Sequence, residues 1–425
     1  MKVLVVHPAQ QHSYRLAAAL RKKGWLDKYI TTVYYKKFSL TYFASFFLDP
    51  GFRKKAQARK CDALADEDVI QFCEAEGLLK LLAMNTPKLR PYYKRIKYHT
   101  ADRFAKKAAR YAIRHKADAV VSYDDYSSLL FQLLEQRAPQ IIRIMDVSAA
   151  NILYMREVYE RDMVLQPAFA AQLRKEREIV WDPDNISRTE QEIRHTQIFL
   201  APSQFVVKTL KYSGVTDEQI KICPYGVDTE IFAQKQYRLP EEMQRSPIRF
   251  IYVGGVKELK GIGYLLEAFS EIPESQAALT VVGQYNADSD ALKPYLDRVN
   301  FTGPLLHAEV ADHLQNADVF IFPSLGEGLS LAALEAAACG LPLIISENSG
   351  VNDLVTDGQE GFVVPIQSKE ALVRKIKWFI EDPGRIEPMG RAARKMALQY
   401  TWDAYYQRID VIFDEIGLMK EQMDG

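Results

Sequence analysis

Short apolar runs alternate with longer amphipathic segments through most of the chain, the pattern of parallel strands joined by crossover helices. The first run, Lys2 to Val6, leads through the loop His7-Pro8-Ala9-Gln10-Gln11-His12-Ser13 into a predicted helix from Tyr14 to Lys23 that Gly24 closes. Helical periodicity fills residues 65 to 116. Runs at Ala119–Ser122, Ile141–Met145 and Ile198–Ser203 and one ending at Ile222 continue the alternation, with charged helical sequence from Tyr154 to Arg194 between them. A polar, aperiodic stretch from 223 to 247 interrupts it. The pattern restarts with strands at Arg249–Val253, Leu279–Val282, near Val299–Phe301, Val319–Phe322 and Leu343–Ser346, and closes with helices at Ala371–Glu381, Arg391–Gln399 and Trp402–Ile416. The expectation is an α/β chain of two doubly wound, Rossmann-like domains facing a cleft. They are residues 1 to 222 and residues 248 to 402, joined by the 223 to 247 linker.

The stretch from Phe322 to Pro342 carries the sharpest chemistry. It reads as strand, glycine turn (Gly326, Gly328), helix and stop (Gly340, Pro342). The helix is built from alanine and leucine, and its one charge, Glu335, lies roughly 7.5 Å along the axis from a start near Ser330. A carboxylate in so apolar a helix needs a partner. The free backbone N–H groups between Glu327 and Glu335, at the positive helix end, suit an anion, and the two carboxylates can accept hydroxyl hydrogen bonds. A nucleoside diphosphate sugar offers that combination of diphosphate, ribose and sugar. An ordinary crossover helix with a satisfied core glutamate fits the pattern too. Gly254-Gly255-Val256-Lys257-Glu258-Leu259-Lys260-Gly261, before the helix Tyr264–Phe269, is a second glycine turn with lysines at a helix head.

Strand ends of a doubly wound sheet line its cleft, which nominates His7, Gln10, Gln11 and His12 from the first loop and Asp124, Asp125 and Asp146 from two later ones. The aspartates suit acceptor hydroxyls or a proton, or serve as helix caps. The first loop lacks G-x-G-x-x-G, which disfavours a dinucleotide there.

At 425 residues, 48% hydrophobic and 26% charged, the composition is that of a soluble globular protein without a membrane-spanning run, and a cytoplasmic location is expected. The formal net charge of zero conceals an asymmetry: residues 1 to 200 hold 34 lysines and arginines against 23 acids, and the remainder is equally acidic. A basic first half suits an anionic acceptor, an acidic membrane face or a solvated surface. No zinc-finger, helix-turn-helix or RNA-binding pattern supports nucleic acid. Residues 34 to 60 interleave aromatics and bases (Tyr34, Tyr35, Lys36, Lys37, Phe38, Tyr42, Phe43, Phe46, Phe47, Phe52, Arg53, Lys54, Lys55), as expected either of peripheral membrane contact or of core aromatics with lysines pointing outward. Cys61, Cys73, Cys223 and Cys339 have no C-x-x-C spacing, and the seven histidines form no metal-binding motif.

These motifs, in this order, closely resemble the retaining glycosyltransferases of GT-B architecture, family four (glycosyl transferases group 1). The resemblance rests on Glu327-x7-Glu335 with Gly340-Leu341-Pro342, on Ala201-Pro202-Ser203-Gln204-Phe205, on Pro224-Tyr225-Gly226-Val227-Asp228 with Phe232, and on Lys260-Gly261, Gly350 and Gly358-Gln359-Glu360-Gly361. It covers about 190 to 410 well and the first 190 residues in architecture. It implies that Glu327 contacts the donor sugar, that the N–H groups of Gly328, Leu329, Ser330 and Leu331 and the Lys260 ammonium hold the diphosphate, that Glu335 holds the ribose, and that Phe301, Thr302, Gly303 and Leu306 flank the base. It also implies that a C-terminal helix over 403 to 425 crosses back to complete the first domain, a UDP- or GDP-sugar as donor substrate, no cofactor and no metal, and a glycan or lipid-linked acceptor.

Three positions depart from the family. Gly255 stands where an arginine is frequent, leaving Lys260, helped by Lys257, as the cation on the leaving group. The loop from His7 to Ser13 replaces a glycine-rich one, and Met145-Asp146 occupies the place of a frequent cleft histidine. Two further functions suit the same architecture: a nucleotide-sugar epimerase, which needs acid and base carboxylates but no acceptor, and a non-catalytic nucleotide-sugar-binding subunit.

Overall fold

The computed structural model describes residues 1 to 9, 12 to 47 and 50 to 424. Two sheets organise them, and every strand pairing in both is parallel. The first runs β3-β2-β1-β4-β5-β6-β7, from β1 (Val3–Val6), β2 (Leu26–Thr31), β3 (Val69–Gln71), β4 (Ala119–Tyr123), β5 (Ile142–Asp146), β6 (Ile198–Ala201) and β7 (Ile220–Ile222). The second runs β10-β9-β8-β11-β12-β13, from β8 (Ile248–Val253), β9 (Ala277–Val282), β10 (Asn300–Gly303), β11 (Val319–Phe322), β12 (Leu343–Ser346) and β13 (Gly361–Val364). β1, β4, β5, β6, β11 and β12 are buried on both faces, which is why they are predominantly apolar, with Arg143 and Asp146 of β5 the charged exceptions.

Both sheets reverse their winding beside the first strand, so the loops after β1 and β4 and those after β8 and β11 meet at the cleft. The helical reading of 65 to 116 needs correction, because β3 lies within it. This three-residue strand sits at a sheet edge, half-buried, and shows no period of its own.

The stretch from 223 to 247 contains a short helix, Pro240–Gln244, and is fastened to the second domain. The Lys235 N–H donates to Cys339 O at 2.9 Å, Tyr237 Oη to Gly340 O at 2.9 Å, and Arg238 pairs with the buried Asp318 at 2.7 Å. The last helix, Trp402–Asp424, returns to the first domain. There Lys23 and Lys221 pair with Asp414 at 2.9 Å and Glu415 at 2.7 Å, and Arg15 lies 4.4 Å over the Trp402 ring.

Candidate active site

After β11 the chain turns through Ser324 to Ser330 into the helix Leu331–Ala338. Ser330 caps that helix, its Oγ accepting from Ala333 N at 3.3 Å. The loop is held from behind: the Glu327 N–H donates to Asn348 O at 2.9 Å and Asn348 Nδ2 to Leu325 O at 2.9 Å. The Ser330 N–H donates to Ser349 O at 3.1 Å, so it is not available to a diphosphate, and the expectation that it would be is corrected. Those of Gly328, Leu329 and Leu331 have no backbone acceptor among the described residues and remain open at the helix end.

The second glycine turn lies directly against this loop. Leu259 O accepts from Leu325 N at 3.1 Å, and Gly261, at φ +69°, comes so close that a Cβ there would sit 2.0 Å from Pro323 O. This contact brings Lys260 Nζ onto Glu327 Oε1, which also accepts from Ser324 Oγ at 2.9 Å. Glu335 projects from the same helix, largely buried and without a hydrogen-bond partner among the described residues. Burial pushes its carboxyl up to about 8.

Gly254 donates to Val282 O at 2.9 Å, Lys257 is exposed, and a side chain at Gly255 would meet only Lys257, at 3.9 Å. Thr302 and Gly303 end β10, where Gly303 O accepts from Gly283 N at 3.0 Å, and Leu306 stands exposed before the helix His307–Asn316.

Across the cleft, Ser148 joins the two domains. Its N–H and Oγ donate to Asp124 Oδ1 at 3.0 and 2.8 Å, while its carbonyl lies where a Cβ on Gly328 would be 2.0 Å away. Only glycine allows the loop after β11 so near. Ser203 Oγ donates to Gly328 O at 2.6 Å and closes the contact. Burial first, and Asp125 second, push the Asp124 carboxyl up to about 6. His12 Nε2 lies 3.0 Å from both Asp146 Oδ2 and Tyr225 Oη, and His7 is buried with Nδ1 accepting from Ala9 N at 2.9 Å. Gln10 and Gln11 lie outside the described residues. Asp125, at φ +76°, pairs with Lys97 at 3.2 Å.

Residues 247–382 match the family described as glycosyl transferases group 1. The second domain is a glycosyl transferases group 1 domain. Relatives of the chain include the sulfoquinovosyl transferase SQD2 of Arabidopsis thaliana, 30% identical over 51% of this chain and 44% of that protein. A D-inositol 3-phosphate glycosyltransferase of Kribbella flavida is 28% identical over 45% of this chain and 49% of its own length. The chain thus spans about half the length of these curated relatives. The whole fold is the GT-B architecture. Sucrose-phosphate synthase from Thermosynechococcus elongatus superposes with a TM-score of 0.69 at 17% identity, covering 99% of this chain and 100% of its own. Anabaena HepE in complex with UDP does so at 0.63 and 16% identity, covering 98% and 100%.

Within the group 1 domain the structure brings Lys260, Glu327, the open N–H groups and Glu335 around one loop, with Asp124 reaching it through Ser148. Thr302, Gly303 and Leu306 belong to a different loop, at the end of β10. Among the described residues no group of histidine, cysteine, aspartate or glutamate could hold a metal ion.

Sequence reasoning missed three carboxylates. Glu192 accepts from Ser127 N at 2.9 Å and Asp125 N at 3.2 Å, taking the capping role that Asp124 or Asp125 could have filled. Burial, with Asp125 and Asp124 adding to it, raises its carboxyl to about 8. Asp162, on the first-domain helix Ile152–Leu165, and Glu258, two residues before Lys260, form a buried acid pair between the domains. Tyr264 Oη donates to Asp162 at 2.8 Å, Gln367 Nε2 donates to it at 3.1 Å, and Gly263 N donates to Glu258 at 3.1 Å. Burial raises both carboxyls, and with the Asp162 charge beside it Glu258 reaches about 9, so the pair retains a proton at neutral pH. Gln172 completes the contact, accepting from Glu258 N at 2.8 Å and donating to Val256 O at 3.2 Å. Helix periodicity showed where Asp162 and Glu192 lie but not what they face.

Proposed function

We propose that the chain is a glycosyltransferase that moves a sugar from a nucleoside diphosphate sugar, UDP- or GDP-linked, to a glycan, lipid-linked or other small acceptor, with retained anomeric configuration and without a metal. The observation that carries this reading is the Lys260–Glu327 pair at the open N-terminus of the helix Leu331–Ala338, in contact with the acceptor-side loop of the other domain. The UDP and UDP-glucose in the HepE structures support the donor class.

In this proposal the diphosphate settles on the N–H groups of Gly328, Leu329 and Leu331 and draws Lys260 from Glu327. The freed Glu327 then accepts from a sugar hydroxyl, and Glu335 from the ribose. The bond from the anomeric carbon to the diphosphate oxygen breaks, a bond to the acceptor oxygen forms on the same face, and the acceptor proton passes to the departing phosphate oxygen. Lys260 and the helix dipole stabilise the charge that develops there, the electrostatic contribution that usually dominates such catalysis.

The aromatic and basic face around the helix Leu40–Phe47 belongs to the proposal as a peripheral contact with the cytoplasmic face of a membrane holding a lipid-linked acceptor. Phe38 is 82% exposed, Leu40, Phe43 and Phe46 are about half exposed, and Arg53 lies 5.3 Å over the Phe46 ring. Among the described residues no helix is long and apolar enough to cross a membrane.

Thermal-shift measurement against UDP-, GDP- and ADP-sugars tests the donor, since a ligand of the folded state raises the melting temperature. Turnover by wild type and Glu327→Ala then tests the chemistry. A UDP- or GDP-sugar should stabilise the protein, and the variant should lose turnover while keeping its fold. Unchanged turnover in the variant, or no stabilisation by any of these sugars, rules the proposal out.

A further inference from the structure

The first domain holds a lysine in a costly position. Lys80 lies on the helix Glu74–Asn85, one turn after Gly77, where a Cβ would come 2.8 Å from Thr32 and Val33 just past β2. Lys80 is 7% exposed and makes neither a hydrogen bond nor an ion pair among the described residues. Its Nζ sits 5.7 Å from the centroid of the Tyr126 ring. Burial, followed by the like charges of Lys97 and Arg59, pushes its pKa down to about 8.

Lys97 approaches the same ring at 5.8 Å, and its one carboxylate partner among the described residues is Asp125. Arg59 is half-buried and has no ion pair among the described residues. Lys80 and Lys97 thus share one ring, and among the described residues only Lys97 of the two has a carboxylate partner. Tyr126 also packs edge-on to His7 at 5.4 Å, so the cluster stands at the carboxyl ends of β1 and β4, the edge that carries Asp124 to the donor-side loop through Ser148.

A buried, unpaired ammonium beside two further cations is destabilising unless an anion offsets it. Helix packing alone would be better served by an apolar residue at this position. We propose that Lys80, with Lys97 and Arg59, binds a phosphoryl group on the acceptor, on the first-domain side of the cleft. A phosphate monoester carries close to two negative charges at neutral pH, and its oxygens accept from ammonium and guanidinium donors. The assignment of the anion to an acceptor rests on the transferase reading; the anion site itself does not.

Calorimetric titration of the full chain with inorganic phosphate, after UDP has filled the donor loop, tests the site in wild type, Lys80→Met and Lys80→Arg. The methionine keeps most of the stem and removes the charge. Phosphate affinity should fall about tenfold or more in Lys80→Met, stay within a few-fold in Lys80→Arg, and UDP affinity should be equal in all three. Glucose 6-phosphate and a polyprenyl phosphate in detergent micelles, used in place of phosphate, separate a soluble acceptor from a lipid-linked one. In unaltered protein, phosphate should also raise the titration midpoint of the Lys80 ε-carbon resonance, a readout that needs no variant. Absence of phosphate binding to wild type, equal affinity in Lys80→Met, or an unmoved midpoint overturns the proposal. Lys80-dependent phosphate binding in a protein that ignores UDP would sustain the anion site and sink the donor reading.

Discussion

Replacing Glu335 with glutamine should stabilise the ligand-free protein, because its carboxyl is buried without a hydrogen-bond partner among the described residues and titrates near 8 instead of 4.5. An acid whose folded pKa is raised contributes stability that is complete below its unfolded pKa and is lost as pH rises through the folded one. Between pH 4.5 and 8 the folded state therefore holds a proton that the unfolded state has released. At pH 7 the penalty spans 2.5 pH units, about 3 kcal/mol at 1.36 kcal/mol per unit. Glutamine has nearly the same shape and no charge to desolvate, so Glu335→Gln should gain about that amount. For a domain of this size that is roughly 6 to 12 °C in melting temperature. Thermal denaturation of both proteins from pH 4.5 to 8 checks this: the gap should be near zero at pH 4.5, below about 1 kcal/mol at pH 5, and widest near pH 8. A gap that is absent at pH 7, or equally large at pH 5, would refute the argument, since either outcome means that ionisation of Glu335 is not what costs stability. UDP affinity, measured on the same samples, should fall in the variant. A carboxylate retained at such cost is the group proposed to accept the ribose hydroxyls.

The Asp162–Glu258 pair makes the domain contact pH-sensitive in the same direction: stability should decline from pH 4.5 to about 9 in wild type and decline less in Glu258→Gln, as read by urea denaturation across that range. Gly328→Ala should cost about 2 to 3 kcal/mol and most of the turnover, because its Cβ would lie 2.0 Å from Ser148 O and must force the domains apart; calorimetry and a rate assay measure both. Asp318→Asn should destabilise by about 3 to 5 kcal/mol in equilibrium unfolding, because Lys235, Arg238 and Arg249 all converge on this buried carboxylate and Lys235 would be left buried and uncompensated.

The sequence by itself determined the elements whose burial is symmetrical. Val3–Val6, Ala119–Tyr123, Val319–Phe322 and Leu343–Ser346 are buried on both faces and so are legible as apolar runs, and glycine and proline mark where the helix before Pro342 stops. It also showed Glu335 as a charge without local company and the two glycine turns as related features, because both are properties of neighbouring residues. β2, β3 and β13 were not legible: β3 and β13 are short edge strands, and Asp27 and Lys28 interrupt the apolar run of β2. Tertiary structure alone decided which groups around the site are occupied and which are open. The Ser330 N–H is taken by Ser349, Glu327 by Lys260 and Asp124 by Ser148, while Glu192, Asp162 and Lys80 acquire their meaning from residues far away in sequence. The physical reason is the same in each case: periodicity records whether a side chain meets core or solvent, whereas hydrogen bonding and ionisation depend on which atoms the fold brings within about 3 Å.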